Sequence, residues 1–497
     1  MILAALAIGL AAGPGAARDH VAAHGPAVLR ELADFVALPN VASDLDAIRK
    51  NASHLEAMLA RRGIASRRLD VEGAPPSVFG EIRVPGATRT IVLYAHYDGQ
   101  PADPAEWATP PWTPTLKDGA KEMPLPKDGD PIDGEWRLFG RAASDDKAPI
   151  VAILAAIDAL RAANVPLRSN VKLFFEGEEE AGSPHLRAIL EKHRDLLAAD
   201  AWLFCDGPVH PTRRMQVVYG VRGVVPLGLT VYGPDRALHS GHYGNVAPNP
   251  AAALAHLIAS LRAPDGTIRV KGYLDDVRPV TDAERRAIAA LPPLDPAREF
   301  SFAALEGGDS NPMEAIMRPA LNVDGLLAGG VGENAANAVP HAARAAIDFR
   351  LVPDQKPERV RALVEAHLAG IGWHVVHAEP DAAARRAHAR IVRLDWGDGG
   401  YAAVRTPLDL PIARGLVRAI ESALGAPPLE VPMLGGSLPL AHFAEATSAP
   451  LFIVPIVNHD NSQHAPNENL RLQNLWDGIA TYAAILAADL GAAAPEK

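Results

Sequence analysis

Four short segments of the chain are apolar almost without interruption: Thr90 to Ala95, Val171 to Phe175, Ala201 to Cys205 and Leu451 to Val457. Runs of this length without polar alternation predict strands buried on both faces, as in parallel sheets covered by helices. Helical periodicity fills the stretches between the first three. Upstream, Ile48, Ala52, Leu55 and Leu59 share one helical face, and Gly63 stands where a C-cap belongs. Strands alternating with helices give an α/β domain with a mostly parallel sheet.

The texture changes near Gly220. Strand-like Val224 to Tyr232 and Ala345 to Val352 alternate with helical Pro250 to Leu261 and Pro357 to Ala369, a pattern that predicts a smaller α+β unit. The first pattern has resumed by Thr406, so the unit reads as an insertion. The expected division is 18–219 and 396–497 for the α/β domain and 220–395 for the insert. Residues 102–136, with their Pro, Gly and Trp, read as one long loop, and loops of this length are commonly functional. No internal repeat of fixed period occurs.

At 497 residues the chain exceeds what one core usually supports, which agrees with two units. The formal charge of −11 argues against a nucleic-acid partner, since binding a phosphate backbone needs a basic footprint. Cys205 is the only cysteine, so disulfides within the chain and cysteine-based zinc clusters are excluded, and metal ligands must come from His, Asp and Glu. Ile2 to Ala12 is apolar and small residues follow to Ala17 before Arg18, the pattern of a secretory signal peptide over residues 1–17 without the usual leading Lys or Arg. That predicts a periplasmic or secreted protein; if the segment is instead a frayed N-terminal helix, the protein is cytoplasmic. No other run approaches the ~20 apolar residues of a membrane span.

Three of the buried runs end in potential metal ligands. The first leads into His96-Tyr97-Asp98, the second into Glu176-Gly177-Glu178-Glu179-Glu180, and the third into Cys205-Asp206. Sites in open α/β sheets form beyond the carboxyl ends of the strands, so polar groups there three times over point to chemistry rather than packing. Gly140-Arg141-Ala142-Ala143-Ser144-Asp145-Asp146-Lys147 precedes a helix expected from Ala148 to Leu160, and His464-Ala465-Pro466-Asn467-Glu468 lies near the end.

Taken together, in this order, these segments resemble the M20 metallopeptidases, the family of carnosine dipeptidases, glutamate carboxypeptidases and related deacylases. Ala142 and Ala148 stand where that family usually has glycine. The resemblance implies a zinc-peptidase catalytic domain with an inserted lid and dimerisation domain. It implies that Asp145 bridges two divalent ions, with His96 and Asp206 completing one site and Glu180 and His464 the other. It makes Asp98 the partner of the far ring nitrogen of His96, Glu179 the general base, and the Asp145–Asp146 peptide cis. His and carboxylate ligands suit zinc, with manganese or cobalt as alternatives. Two ions about 3.5–4 Å apart can share a hydroxide that is nucleophilic near neutral pH.

For substrate, the resemblance implies Arg350 and Ser437, in Gly435-Gly436-Ser437, as carboxylate-binding residues. It also implies that His239 reaches from the insert of one subunit of a homodimer into the site of the other, to stabilise the oxyanion. The expected reaction is cleavage of dipeptides or short peptides. The alternatives are an N-acyl amino-acid deacylase using the same two-metal site, and a non-catalytic binding protein, which would lack a ligand or the base.

Overall fold

The computed structural model describes residues 2–308, 311–397, 399–436 and 439–491. Its centre is an eight-stranded mixed sheet in the order Ala65–Leu69, Ser77–Ile82, Asn170–Glu176, Thr90–His96, Ala201–Phe204, Leu451–Ile453, Gln216–Val218, Leu429–Val431. The four middle strands, Asn170–Glu176 through Leu451–Ile453, run parallel; antiparallel pairing joins the outer strands to them on each side, and the last pair, Gln216–Val218 with Leu429–Val431, is again parallel. The fourth apolar run is a strand only to Ile453. Val454 still donates its N–H to Phe204, but Pro455 has no donor for a ladder.

Helices Lys147–Ala162 and Leu472–Ala487 and the first helix, Ile2–Val36, pack together on the sheet. Ala155, Ile479 and Leu32 are buried in the same core. Ala17 belongs to that core as well, fully buried. Lys147 is fully buried at the start of its helix. Its ammonium donates to the carbonyls of Phe35 and Leu38 at 2.8 and 3.0 Å and lies over the Phe35 ring, tying the helix to the end of the first one.

Residues 102–136 are not one loop. They contain strands Thr115–Asp118 and Lys121–Met123, which join Arg137–Phe139 and Asn469–Arg471 in a four-stranded antiparallel sheet. This sheet carries the segment that follows His464 and holds it beside the Gly140–Asp145 turn.

A second sheet, five-stranded, has the order Ala320–Leu327, Ala342–Leu351, Gly223–Tyr232, Ile391–Trp396, His374–Val376. Helices Pro250–Leu261 and Pro357–Gly370 cover it. Leu254, Leu257, Val360 and Val364 pack on Val225, Leu229 and Phe349 in a core separate from that of the large sheet. Pro250 sits at the first helical position with the Asn249 side chain accepting from the N–H groups of Ala251 and Ala252, which fixes where the helix begins. The chain passes between the two sheets along Gly220–Val221 and Val404–Arg405, which pair antiparallel. A side chain at Gly220 would meet the Val404 carbonyl at 1.9 Å, so only glycine permits this crossing. Among the described residues no helix is long and apolar enough to cross a membrane.

Candidate active site

His96 is the last residue of the central strand Thr90–His96. Glu179 and Glu180 form a short turn just beyond Asn170–Glu176, and Asp206 lies two residues beyond Ala201–Phe204. The three parallel strands therefore deliver their polar ends to one edge of the sheet. Asp145 arrives from the turn before helix Lys147–Ala162, and its peptide bond to Asp146 is cis. His464 comes from the loop after Leu451–Ile453 with a left-handed backbone, φ +60°.

These residues make two adjoining groups that share Asp145. One oxygen of Asp145 is 2.9 Å from His96 Nε2 and the other is 3.1 Å from His464 Nε2. His464 Nε2 is also 3.1 Å from Glu180 Oε2, and His96 Nε2 is 4.0 Å from Asp206 Oδ2. His96, Asp145 and Asp206 form one set, and Asp145, Glu180 and His464 the other. Within each set the candidate ligand atoms lie within 4.8 Å of one another, close enough to hold a metal ion. Glu179 Oε2 is 3.9 Å from His96 Nε2 and belongs to neither set.

The surrounding polar groups fix this arrangement. Asp98, fully buried, lies 3.4 Å from His96 Nδ1 and accepts the backbone N–H groups of Glu179 and Glu180 at 3.1 and 3.0 Å. One carboxylate thus orients a ring on the first strand and the acidic turn on the second. Gln100 donates to Glu180 Oε2 at 2.8 Å. Glu468, also fully buried, accepts from the N–H groups of Ala142, Ser144 and Asp145, from Ser144 Oγ and from the Arg141 guanidinium. Sequence reasoning gave no role to Gln100, Lys147 or Glu468. Lys147 and Glu468 lie within the motifs already singled out, which was the one available signal.

The electrostatics are those of a cation site. Burial raises Asp206 to about 7, and the nearby Asp145 adds to this. Burial likewise drives Glu179 well above the usual carboxylate range, with Asp206 and Asp145 reinforcing it against the attraction of His96. Hydrogen bonds to Asp145 and Glu180 raise His464 to about 10 against its burial. Burial would lower His96, yet its bonds to Asp145 and Asp98 hold it well above the ordinary histidine value. Asp145, for which burial alone would do the opposite, is held below its ordinary value by the two imidazoles. Carboxylates crowded at this density repel one another unless positive charge lies among them, and His and carboxylate donors fit divalent ions such as zinc.

The remaining sequence-predicted residues lie outside these two sets. His239 is exposed on the inserted unit, its Nδ1 accepting from the Gly241 N–H at 3.1 Å. Arg350 is on the five-stranded sheet, its Nε 2.5 Å from Asp348, which also accepts from Asn322 at 2.7 Å. Ser437 is outside the described residues; the preceding Gly435 lies against Ile316 of the inserted segment.

The chain is 26% identical over 467 residues to Cys-Gly metallodipeptidase dug1 of Schizosaccharomyces pombe, covering 90% of each chain. It is 27% identical over 421 residues to Beta-Ala-His dipeptidase of Homo sapiens, covering 82% of this chain and 76% of that relative. Among solved structures, the M20 family metallo-carboxypeptidase Sso-CP2 from Sulfolobus solfataricus aligns with a TM-score of 0.73 at 28% identity, covering 93% of this chain and 98% of that one. The model of Peptidase family M20/M25/M40 matches residues 92–488, a span that contains every residue of both ligand sets. The chain belongs to that family and is a peptidase, a hydrolase of amide bonds.

Proposed function

We propose that the protein is a two-metal dipeptidase, cleaving dipeptides and short peptides with a free carboxyl terminus. The observation that carries this is the position of Asp145, with one oxygen toward His96 and the other toward His464, so that one carboxylate serves both ligand sets. The first site would use His96, Asp145 and Asp206, the second Asp145, Glu180 and His464. Zinc fits both, with manganese or cobalt as alternatives. When bound, such a pair of ions acidifies water and polarises the scissile carbonyl.

The chain's own groups do the rest. Glu179 stands 3.9 Å from His96 without belonging to either ligand set, which suits a base that takes the proton of the attacking water and returns it to the leaving nitrogen. Asp98 holds both His96 and the peptide that bears Glu179. Arg350 would bind the substrate carboxylate with its guanidinium oriented by Asp348, and Ser437 would assist from the Gly435-Gly436 turn. His239 accepts at Nδ1, so its neutral ring carries the proton on Nε2, the form needed to donate to an oxyanion.

A homodimer would bring His239 to the partner's site. The edge strand Ala320–Leu327 of the insert supports this, for Leu326 and Leu327 are more than 60% exposed on a sheet edge that no other strand covers among the described residues. In this reading 220–395 is the lid and dimerisation unit between catalytic parts 18–219 and 396–497. The N-terminal segment would direct secretion to the periplasm.

Cys-Gly and β-Ala-His dipeptides are the first substrates to try. Metal-reconstituted protein assayed against a panel of dipeptides, C-terminally amidated dipeptides and N-acyl amino acids tests the proposal. Preference for free dipeptides is expected; preference for N-acyl amino acids would replace it with the deacylase reading.

A further inference from the structure

Apart from its contact with His464 of the same set, the polar contacts of Glu180 come from one short segment. Asp98 accepts the Glu180 N–H at 3.0 Å, while the Gln100 amide donates to the Glu180 carboxylate at 2.8 Å and lies 3.4 Å from its carbonyl. Three atoms of Glu180 are thus set by residues that follow His96 on the neighbouring strand. We propose that Gln100 is the positioning residue of the second metal site, and that its amide decides how tightly the Asp145, Glu180 and His464 set holds its ion. This rests on the two-metal reading above.

The two sets differ in what fixes them. His96 is 1% exposed and held by Asp98 at its far nitrogen. The His464 side chain is 52% exposed and stands on a loop residue with left-handed backbone. With its ring exposed and held at Nε2 by Asp145 and Glu180, the second set depends on the orientation of those carboxylates. Asp145 is fixed through its backbone N–H by Glu468. Glu180 has a three-torsion side chain, and apart from His464 of its own set it is the N–H of Gln100, 2.8 Å from Oε2, that holds its carboxylate. The donor is also uncharged. An amide holds a carboxylate without repelling a cation beside it, as Lys or Arg would, and without titrating. Outer contacts of this kind typically account for about 10–100-fold in metal affinity.

The test is metal titration of the full-length, chelator-stripped protein with Zn²⁺ and Co²⁺, resolving two binding steps and counting ions per chain. Gln100→Met keeps the length of the side chain and removes the donor; Gln100→Ala serves if the first variant folds poorly. The melting temperature of the metal-free variants checks the fold. The expected result is that one of the two steps weakens about 10–100-fold while the other is unchanged. Two unchanged steps, or equal weakening of both, would overturn the assignment of Gln100 while leaving the two-metal reading intact. Wild-type protein that binds fewer than two ions would remove that reading and this one with it.

Discussion

The carboxylate of Glu468 accepts the backbone N–H of Asp145 at 2.9 Å, across 323 residues of sequence. The same two oxygens take the N–H groups of Ala142 and Ser144, the Ser144 hydroxyl and the Arg141 guanidinium. A turn that must present one carboxylate to two imidazoles is thereby built around a buried anion. Glu468→Ala leaves Arg141 and several N–H groups buried without partners. Removing one member of a buried charge pair costs about 3–5 kcal/mol. Urea unfolding of the metal-free variant should show a loss on that scale, and metal content should fall. A stability within 1 kcal/mol of wild type would mean that the turn holds its shape unaided.

Glu179→Gln should reduce kcat by about 10²–10⁴-fold, the range for loss of a general base. Glu179 belongs to neither ligand set, so metal content by atomic absorption should stay at the wild-type level. Turnover near wild type would show that another group handles the proton.

Metal binding should release protons. Hydrogen bonds to Asp145 and Glu180 raise His464 to about 10, so in the metal-free protein that ring holds a proton at neutral pH, and bonds to Asp145 and Asp98 shift His96 in the same direction in spite of its burial. A ligating ring must be deprotonated. The sign follows: as pH rises toward 10, fewer protons oppose the ion and apparent affinity increases. Adding Zn²⁺ to chelator-stripped protein in weak buffer near pH 7 should liberate the proton of His464 and part of that of Asp206, which is raised to about 7. Binding without proton uptake or release, measured by calorimetry in buffers of different ionisation enthalpy, would contradict this ligand assignment. Chelation should also abolish activity, and Zn²⁺, Mn²⁺ or Co²⁺ should restore it.

Arg350 offers a separate handle on substrate recognition. Asn322 donates to Asp348, and Asp348 pairs with Arg350 Nε. If this relay aims the guanidinium at a substrate carboxylate, Arg350→Ala should raise KM for free dipeptides by roughly 10–100-fold, the worth of a charge-assisted hydrogen bond of about 1.5–3 kcal/mol. Rates for C-terminally amidated substrates should change little. An equal loss on both substrate classes would place Arg350 outside carboxylate recognition.

These residues were not equally visible in the sequence. His96, Glu179, Glu180 and Asp206 could be found because each follows a run apolar enough to be a buried strand, and parallel strands carry their ends to the same edge. Gln100 and Glu468 could not be assigned a task, since their partners lie 80 and more than 300 residues away and only the fold joins them. The hairpin of Thr115–Asp118 and Lys121–Met123 escaped for another reason. Its strands have four and three residues, carry Lys, Asp and Glu, and pair with a sheet completed by Asn469–Arg471 from the far end of the chain.

The dimer proposal yields the most demanding test. His239 is exposed on the inserted unit, with Nδ1 engaged by Gly241, which leaves Nε2 as the ring nitrogen able to donate. If that donor completes the partner's site, His239→Ala should lower kcat by about 10²–10³-fold, as removal of an oxyanion donor does. Metal content and the metal-free melting temperature should be unchanged, since His239 belongs to neither ligand set. Glu179→Gln should be inactive for an independent reason. Mixing the two inactive proteins under conditions of subunit exchange produces mixed dimers. In each, one site has an intact Glu179 and receives an intact His239 from its neighbour, while the other site has neither. Two-fold symmetry makes the two pairings equivalent, so random exchange places half of the chains in mixed dimers, and activity should recover to about a quarter of wild type. Recovery requires that the histidine act across the interface, because acting within its own subunit it would leave every site in the mixture defective. Exchange demonstrated by native mass spectrometry with no return of activity would confine His239 to its own chain.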